Sequence, residues 1–230
     1  MVEDLKRAVC FANKQLDKYN LVKLSWGNVS GIDRKQGLIV IKPSGVPFEE
    51  LTPESMVVLD MNGKKVEGEL RPSSDAPTHV VLYNSFSYIG GIAHTHSHWA
   101  TVWAQSGRSI PPYGTTHADF AFGEIPCTRP LSKIQIKSDY EEFTGKLIAQ
   151  CFNGVNINAS DIPATLVHSH GPFTWGRNCF EAVENSYILE EVARLAWETE
   201  LLGNAKPIDP ALLEKHFQRK HGNNAYYGQR

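Results

Sequence analysis

Helix-like and strand-like patterns alternate along this chain of 230 residues, which restricts it to folds in which helices cover a sheet. Apolar residues recur at helical spacing from Leu5 to Leu16, so the chain is predicted to begin with a helix. Strand-like runs, broken by glycine and proline, follow at 21–26, 37–41 and 56–61. Asn62-Gly63 then predicts a hairpin turn into a strand through Val66. Hairpins and crossovers together predict a mixed sheet with helices on both of its faces.

Capping signals predict the remaining helices, and apolar runs predict two more strands. Pro77 lies in the first turn of a helix that starts within 73–79. Ser138 and Glu141 have the spacing of a capping box ahead of a helix at 138–152. Further helices are predicted at 99–105 before Gly107, from Asn178 to just before Gly203, and after Asp209-Pro210. The two further strands are predicted at 92–96 and 164–170.

Composition and charge narrow the functional classes. Lysine and arginine number 23 against 25 aspartates and glutamates, and the resulting net charge of −2 does not indicate a surface for nucleic acid. No apolar run approaches the ~18 residues that span a bilayer, and the N-terminus lacks a signal-peptide pattern. No repeat or linker divides the chain, so a single domain is expected over residues 1–230. We therefore expect a cytoplasmic protein without a nucleic-acid or membrane partner.

His94-Thr95-His96 lies inside one of the predicted strands. Side chains alternate along a strand, so both imidazoles project from one face of the sheet, roughly 7 Å apart at their Cα atoms. Two imidazoles on one face can chelate a divalent metal, and histidine is a common zinc ligand. The alternative is a pair of polar residues on a solvated face.

A second histidine pair, His168-Ser169-His170, ends another apolar run directly before Gly171-Pro172. Three histidines and one carboxylate would complete a zinc-type ligand set, and Asp75 is the best upstream carboxylate. The alternative role of Asp75 is to cap the helix that follows it. Periodicity does not distinguish His168 from His170 as the ligand.

Three turns rich in Gly, Ser and Asn have exposed backbone N–H groups and hydroxyls that suit an anion, at 26–30, 42–45 and 73–74. Each of them alone is also typical of an ordinary turn. Neither the Walker A motif nor G-x-G-x-x-G, the glycine-rich motifs of nucleotide-binding sites, is present. The polar run at 115–119 is expected to be a solvated loop unless it is functional. Tyr226 and Tyr227 near the C-terminus suggest a tail that docks, and a tyrosine hydroxyl near a metal can transfer a proton.

Taken together, these motifs resemble the class II aldolase/epimerase family, and the resemblance spans nearly the whole chain. The motifs that carry it lie at 24–30, 41–46, 72–75, 90–97, 114–119, 125–129, 170–173, 219–222 and 226–229. The resemblance implies a three-layer α/β/α sandwich around a mixed, mostly antiparallel central sheet. It also implies a homotetramer with active sites at the subunit interfaces.

Carried over position by position, the resemblance implies a complete active site. The metal ligands are Asp75, His94, His96 and His170, and they hold one Zn²⁺ per subunit, with Mn²⁺ or Co²⁺ as alternatives. The residues that bind substrate or phosphate are Gly27, Asn28, Lys42, Ser44, Gly45, Ser73 and Ser74, with Thr116, Glu141 and His216 in support. Asp119 and Tyr227 match the proton-transfer pair.

The activity implied is inversion at C4 of L-ribulose 5-phosphate to give D-xylulose 5-phosphate. Because the carbonyl is at C2, C4 carries no acidic proton and simple deprotonation cannot invert it. A retro-aldol break of C3–C4 instead leaves an enediolate that a divalent metal stabilises. The glycolaldehyde phosphate stays bound, rotates and is attacked on its other face, so two proton carriers on opposite sides are required. Arabinose and ascorbate breakdown both pass through such a pentulose phosphate.

Three other functions compete with this interpretation. A class II sugar-phosphate aldolase of the fuculose or rhamnulose type uses the same metal but releases the aldehyde. An Fe(II) oxygenase uses two histidines and a carboxylate, and a third histidine would fill the position that dioxygen needs. A zinc-stabilised binding module would unfold on chelation, whereas an enzyme with a core of this size would lose activity first.

Overall fold

The computed structural model describes residues 2–153 and 158–227, and a seven-stranded sheet forms its centre. The strands are β1 (Asn28–Asp33), β2 (Leu38–Ile41), β3 (Val57–Asp60), β4 (Lys65–Glu67), β5 (Gly91–His94), β6 (Ala164–Val167) and β7 (Gly171–Gly176). Their spatial order is β4-β3-β2-β1-β5-β7-β6. Each neighbouring pair of these strands is antiparallel, and an isolated parallel bridge joins Cys127 to Leu166.

Eight helices surround the sheet in the part of the chain that the structure describes. They are α1 (Val2–Lys18), α2 (Ala76–Ser85), α3 (His98–Ser106), α4 (Thr115–Ala118), α5 (Lys133–Lys137), α6 (Tyr140–Gln150), α7 (Cys179–Leu201) and α8 (Pro210–His221). Two short 3-10 helices at Phe48–Glu50 and Pro53–Ser55 connect β2 to β3. None of the described helices combines the length and apolarity that a membrane crossing requires.

Two separate apolar clusters lie on the two faces of the sheet. In β2, Ile39 and Ile41 join one cluster whereas Val40 joins the other, as the period of two in a strand requires. Residues of α2, α3 and α6 cover the first face, and α1 covers the second. The long helix α7 contributes to both clusters along its length. The expected three-layer sandwich with a mostly antiparallel sheet is therefore confirmed.

Three predicted strands have wrong boundaries, and a turn interrupts the run in two of them. Residues 21–26 form no strand, since Leu24 adopts a left-handed backbone with φ of 54° and is exposed. The strand predicted at 92–96 ends at His94, and the strand predicted at 164–170 ends at Val167. Ser169, with φ of 61°, then turns the chain back into β7.

The predicted capping box at Ser138 and Glu141 is also wrong. The Ser138 hydroxyl donates to the carbonyls of Ile134 and Gln135, so this residue ends α5 instead of starting α6. The capping signals at Asn178 and Asp209 are confirmed, because each side chain accepts backbone N–H groups of the helix that follows. Gly107 ends α3 in the left-handed conformation, as predicted.

Candidate metal centre and active site

Three histidines converge at one end of the central strands. His94 is the last residue of β5, His96 lies in the connection to α3, and His170 lies in the turn between β6 and β7. Their ligand nitrogens all lie within 4.8 Å of one another. Since β5 pairs with β7, with His94 opposite Phe173, the sheet brings the turn that carries His170 beside the end of β5. His96 was expected inside the strand, but β5 ends at His94. The approach of His96 to His94 therefore depends on the loop that follows the strand and not on the alternation of side chains within it.

The hydrogen bonds and pKa shifts of these histidines suit metal binding. His94 Nδ1 lies 2.9 Å from the carbonyl oxygen of Pro172 and donates to it, so Nε2 is the ring nitrogen left for a metal. Withdrawal of His96 from water, together with the neighbouring His94, lowers its pKa to about 4. Burial, together with His94 and His96, lowers the pKa of His170 as well. Neutral imidazoles are the form that binds a divalent cation.

Tyr140 is a member of this site that the sequence analysis missed. Its hydroxyl oxygen lies 3.3 Å from Nδ1 of His170, within hydrogen-bond distance, so Nε2 of His170 is the nitrogen left for a metal. Partial burial raises the pKa of Tyr140, which keeps the hydroxyl protonated. No motif marks Tyr140, although it precedes Glu141 directly. Glu141 itself contributes its backbone carbonyl to the hydroxyl of Thr78, at 2.6 Å.

Asp75 occupies the N-cap position of α2 without capping it. The side chain makes no cap hydrogen bond, and Oδ2 instead accepts a 2.7 Å hydrogen bond from Nδ2 of Asn28. Burial acts to raise the pKa of Asp75, but the nearby His94 and His79 and the bond from Asn28 lower it on balance. The carboxylate is thus ionised, and it lines the same cleft as the histidines, although the cluster of mutually close ligand atoms among the described residues comprises the three histidines without Asp75. The role of a helix cap, which was the alternative at this position, is not the one that the structure shows.

A cleft of about 490 Å³ holds the predicted metal and phosphate residues together. Its lining includes every one of them, namely Gly27, Asn28, Lys42, Ser44, Gly45, Ser73, Ser74, Asp75, His94, His96 and His170. Gly27 has φ of 88°, and a Cβ there would lie 2.8 Å from the carbonyl oxygen of His94. The chain just before β1 can therefore approach the histidines only because position 27 is glycine. The turn predicted at 26–30 is wrong from Asn28 onward, because β1 begins there and pairs with β2 and β5.

Lys42 and Asn28 both line the cleft, and both already make hydrogen bonds within the chain. Lys42 is 1% exposed, and Nζ donates to the carbonyls of Ser25 and Pro43 at 3.3 Å each. Burial lowers its pKa to about 8. Asn28 already uses its amide hydrogens, on Ser73 Oγ at 3.0 Å and on Asp75. Asn28 therefore joins the turn at 73–74 to the proposed metal ligand Asp75, and Lys42 places a positive charge in the cleft.

Of the remaining predicted site residues, Asp119, His216 and Tyr227 form a second cluster, and none of the three lines this cleft. Asp119 follows α4, which is a short helix where a solvated loop was expected. Its carboxylate lies 3.0 Å from Nδ1 of His216 and accepts two hydrogen bonds from Arg219, at 2.6 and 3.2 Å. Thr116, within α4, is exposed and lines a smaller separate cleft. None of these residues lines the histidine cleft of the same chain.

Arg219 connects the two predicted proton-transfer residues. Besides binding Asp119, it accepts the backbone N–H of Tyr227 on its carbonyl at 3.1 Å, and its guanidinium lies 5.1 Å from the centre of the Tyr227 ring. Burial acts to raise the pKa of Asp119, but the hydrogen bonds from Arg219 and His216 lower it on balance. Arg219 belongs to the motif at 219–222, but no role was predicted for it. Gly228 and Gln229 of the same tail lie outside the described residues.

Comparison with known sequences identifies relatives over the full length. Residues 7–197 match the family described as class II aldolase and adducin N-terminal domain. L-ribulose-5-phosphate 4-epimerase UlaF of Salmonella paratyphi B is 51% identical over 230 residues, which make up 100% of both chains. The protein of the same name from Salmonella paratyphi A is 50% identical, again over 100% of both chains.

Solved structures with the same architecture are also known. An L-fuculose 1-phosphate aldolase aligns with a TM-score of 0.80 at 25% identity, covering 94% of this chain and 95% of that one. An L-fuculose-1-phosphate aldolase from Thermus thermophilus aligns with a TM-score of 0.69 at 21% identity, covering 90% and 100%. The second likeness concerns the fold alone.

Proposed function

Because the chain belongs to the class II aldolase and adducin N-terminal domain family, we propose that it is a metal-dependent epimerase that converts L-ribulose 5-phosphate to D-xylulose 5-phosphate. The convergence of three histidines in a cleft that is also lined by serine, glycine and asparagine residues and by Lys42 is the structural observation that carries this proposal. The full-length likeness to a 4-epimerase, described above, supports the substrate and the position of inversion.

The residues of the cleft fit a divalent metal. The histidine nitrogens are close together, and the Asp75 carboxylate is not used as a helix cap. We propose that Asp75, His94, His96 and His170 hold one Zn²⁺ per subunit, with Mn²⁺ or Co²⁺ as alternatives suited to the same ligands. When bound, the metal supplies Lewis-acid stabilisation of the negative charge that develops on the sugar oxygens after C3–C4 cleavage.

The phosphate turns are proposed to retain the cleaved fragment. Ser44, Gly45, Ser73 and Ser74 line the cleft with hydroxyls and backbone, and Lys42 adds a positive charge beside them. A fragment anchored by its phosphate can rotate about its own bonds without leaving, so attack on the opposite face of the aldehyde inverts C4. Asn28 supports both halves of the cleft through its bonds to Ser73 and Asp75.

Asp119 and Tyr227 are proposed to transfer the protons at the C4 oxygen. The ionised carboxylate of Asp119 can accept the C4 hydroxyl proton while the electrons of the C3–C4 bond pass to C3. After rotation, the new C4 oxygen takes a proton from a donor on the other side, the role proposed for the Tyr227 hydroxyl. Thr116 and His216 adjoin this pair, and Glu141 lies beside Tyr140 at the metal site.

We propose that a neighbouring subunit supplies this proton-transfer pair, in a homotetramer with active sites at the interfaces. The proposal is supported by the separation of Asp119 and Tyr227 from the histidine cleft within one chain. Leu24 is 78% exposed and Trp26 is 56% exposed beside the cleft, which suits a surface that another subunit covers.

The chain is proposed to form a single domain over residues 1–230. Strands β1 to β5, from the first 94 residues, share one sheet with β6 and β7 at 164–176, because β5 lies between β1 and β7. Dividing the sequence into two domains would therefore divide this sheet. The charge of a phosphorylated sugar keeps it inside the cell, which supports a cytoplasmic location.

A coupled assay with L-ribulose 5-phosphate tests the proposed function. Purified protein should form D-xylulose 5-phosphate, lose this activity on chelation and regain it when zinc or manganese is restored. His96→Asn should remove the activity, whereas His98→Asn, a change of an exposed histidine outside the triad, should retain it. Release of free glycolaldehyde phosphate without D-xylulose 5-phosphate would indicate an aldolase. Neither product from metal-loaded protein would contradict both substrate assignments.

A further inference from the structure

Helix α3 connects two of the proposed metal ligands. It begins at His98, two residues after His96. Near its other end, the carbonyl of Ala104 accepts a 2.8 Å hydrogen bond from the backbone N–H of Ser169, in the turn that carries His170. A displacement of this nine-residue helix would therefore move His96 and His170 relative to His94.

The start of α3 is capped by a residue from a different helix. Ser97 is at the N-cap position, but its side chain makes no cap hydrogen bond, and its buried hydroxyl has no partner in the described residues. The backbone N–H groups of Trp99 and Ala100 instead donate to the two carboxylate oxygens of Glu190 in α7, at 2.7 and 3.0 Å. A cap from 90 residues further along the chain makes the position of α3 depend on α7.

The charge of this cap also matters to a cation near His96. A helix N-terminus carries a partial positive charge of roughly half a unit, which disfavours a divalent cation nearby. The Glu190 carboxylate neutralises that end of α3 with a full negative charge. Groups that orient metal ligands from outside the coordination sphere contribute substantially to affinity.

We propose that Glu190 is a positioning residue of the metal site, which holds α3 so that His96 and His170 converge and offsets the positive end of the helix. The inference rests on the metal assignment within the proposed function. A second bond, from Trp103 Nε1 to the carbonyl of Ala193 at 2.9 Å, also ties α3 to α7. Loss of the Glu190 carboxylate should thus leave the helix folded while loosening its first turn.

Cobalt binding tests this proposal without an activity measurement. The Co²⁺ dissociation constant, from competition with a chromophoric chelator, should rise by about tenfold in Glu190→Ala. The visible d–d bands of bound Co²⁺ should change in the same variant. Glu190→Gln retains one acceptor oxygen without the charge, so its affinity should lie between those of the parent and Glu190→Ala. Glu191→Gln, the same change at the exposed neighbouring residue, should bind Co²⁺ as the parent does.

Urea unfolding of the metal-free variants separates positioning from a purely structural role. Reduced stability with unchanged Co²⁺ affinity and unchanged bands in both Glu190 variants would overturn the proposal. A parent protein that binds no Co²⁺ would overturn the metal site itself, and with it this inference. A parent that binds Co²⁺ and shows epimerase activity, beside Glu190 variants with the same affinity, would overturn the role of Glu190 alone.

Discussion

Two aspartates that each precede a helix have different roles. Both Asp75 and Asp209 are followed by a helix with proline in its first turn, so their local sequences are alike. The side chain of Asp209 accepts the backbone N–H of Ala211 at 2.8 Å, whereas that of Asp75 accepts the amide of Asn28. The same residue type thus acts as a cap at one position and is available to a metal at the other.

Alanine at these two positions should therefore have opposite effects. Asp75→Ala should weaken Co²⁺ binding by at least about tenfold, with little change in the stability of the metal-free protein. Asp209→Ala should lower the free energy of unfolding by about 1 kcal/mol through loss of the cap, and leave Co²⁺ affinity unchanged. Chelator competition and urea denaturation measure the two quantities. Equal metal affinity in the parent and Asp75→Ala would contradict the ligand assignment.

Arg219 is expected to control the ionisation of Asp119. The carboxylate faces Arg219 and His216, while His221 binds the backbone carbonyl of Asp119, and the hydrogen bonds from Arg219 are the leading cause of its lowered pKa. Asp119 accepts a proton only when ionised, so activity should be lost as the pH falls through its pKa. Arg219→Met should raise that pKa by about 1, which moves the acid limb of kcat against pH to higher pH.

Arg219→Lys is the matched control for this prediction. It keeps the positive charge but loses the two-pronged geometry, so its acid limb should move less than that of Arg219→Met. Both variants should bind Co²⁺ with the affinity of the parent, because Arg219 lies outside the histidine cleft. An acid limb at the same pH in the parent and in Arg219→Met would refute the proposed role.

Among the secondary-structure elements, the turn between β6 and β7 depends on the end of α3. A Cβ at Gly107 would lie 2.8 Å from Nε2 of His168, and the backbone there has φ of 67°. Gly203, after α7, has φ of 75° but no atom within 4 Å of its Cβ position. Both glycines thus adopt a left-handed backbone, which disfavours a side chain. Of the two, only Gly107 also has a neighbouring side chain, His168, that a Cβ would contact too closely.

Alanine substitution separates the effect of the backbone from that of the contact. Gly203→Ala should lower the free energy of unfolding by about 1 kcal/mol, the cost of a left-handed backbone for a residue with a side chain. Gly107→Ala should cost clearly more, and it should also weaken Co²⁺ binding because displacement of His168 moves the turn that carries His170. Equal losses of stability in the two variants, measured by urea denaturation, would show that His168 adapts without consequence.

On the scale of the whole molecule, the proposed active-site residues lie on two surfaces of one chain. The histidine cleft contains the proposed metal and phosphate residues, and the Asp119 cluster contains the proposed proton-transfer residues. If neighbouring subunits join the two surfaces, then each site takes its metal half from one chain and its proton-transfer half from another. Variants that damage different halves should then complement each other.

Mixed refolding of His94→Asn and Asp119→Asn tests this arrangement. Each variant alone should be inactive. An equimolar mixture should recover about a quarter of the parent activity, because that fraction of random cyclic interfaces pairs two intact halves. Refolding each variant separately before mixing is the control and should recover nothing. A mixture that stays inactive, although its subunits have exchanged, would indicate that each site is built within one chain.

Much of the fold and part of the site could be predicted because the signals are local. The caps at Asn178 and Asp209, the glycine that ends α3 and the hairpin at Asn62-Gly63 each depend on atoms within a few residues along the chain. The histidine pairs and the three segments rich in Gly, Ser and Asn are local as well, and each contributes residues to one cleft, although His168 does not line it. Local patterns failed where one left-handed residue, such as Leu24 or Ser169, interrupted an apolar run.

The sequence by itself thus determined the classes of element, most helix ends and the chemistry available at the site. Only the tertiary structure decided that Asp75 binds Asn28 instead of capping α2, that Tyr140 contacts His170, and that Glu190 caps α3. It also placed Asp119 away from the histidine cleft. The partners in these contacts are 30 to 91 residues apart along the chain. Which distant side chains meet depends on strand order and helix packing, and no spacing within the sequence encodes either one directly.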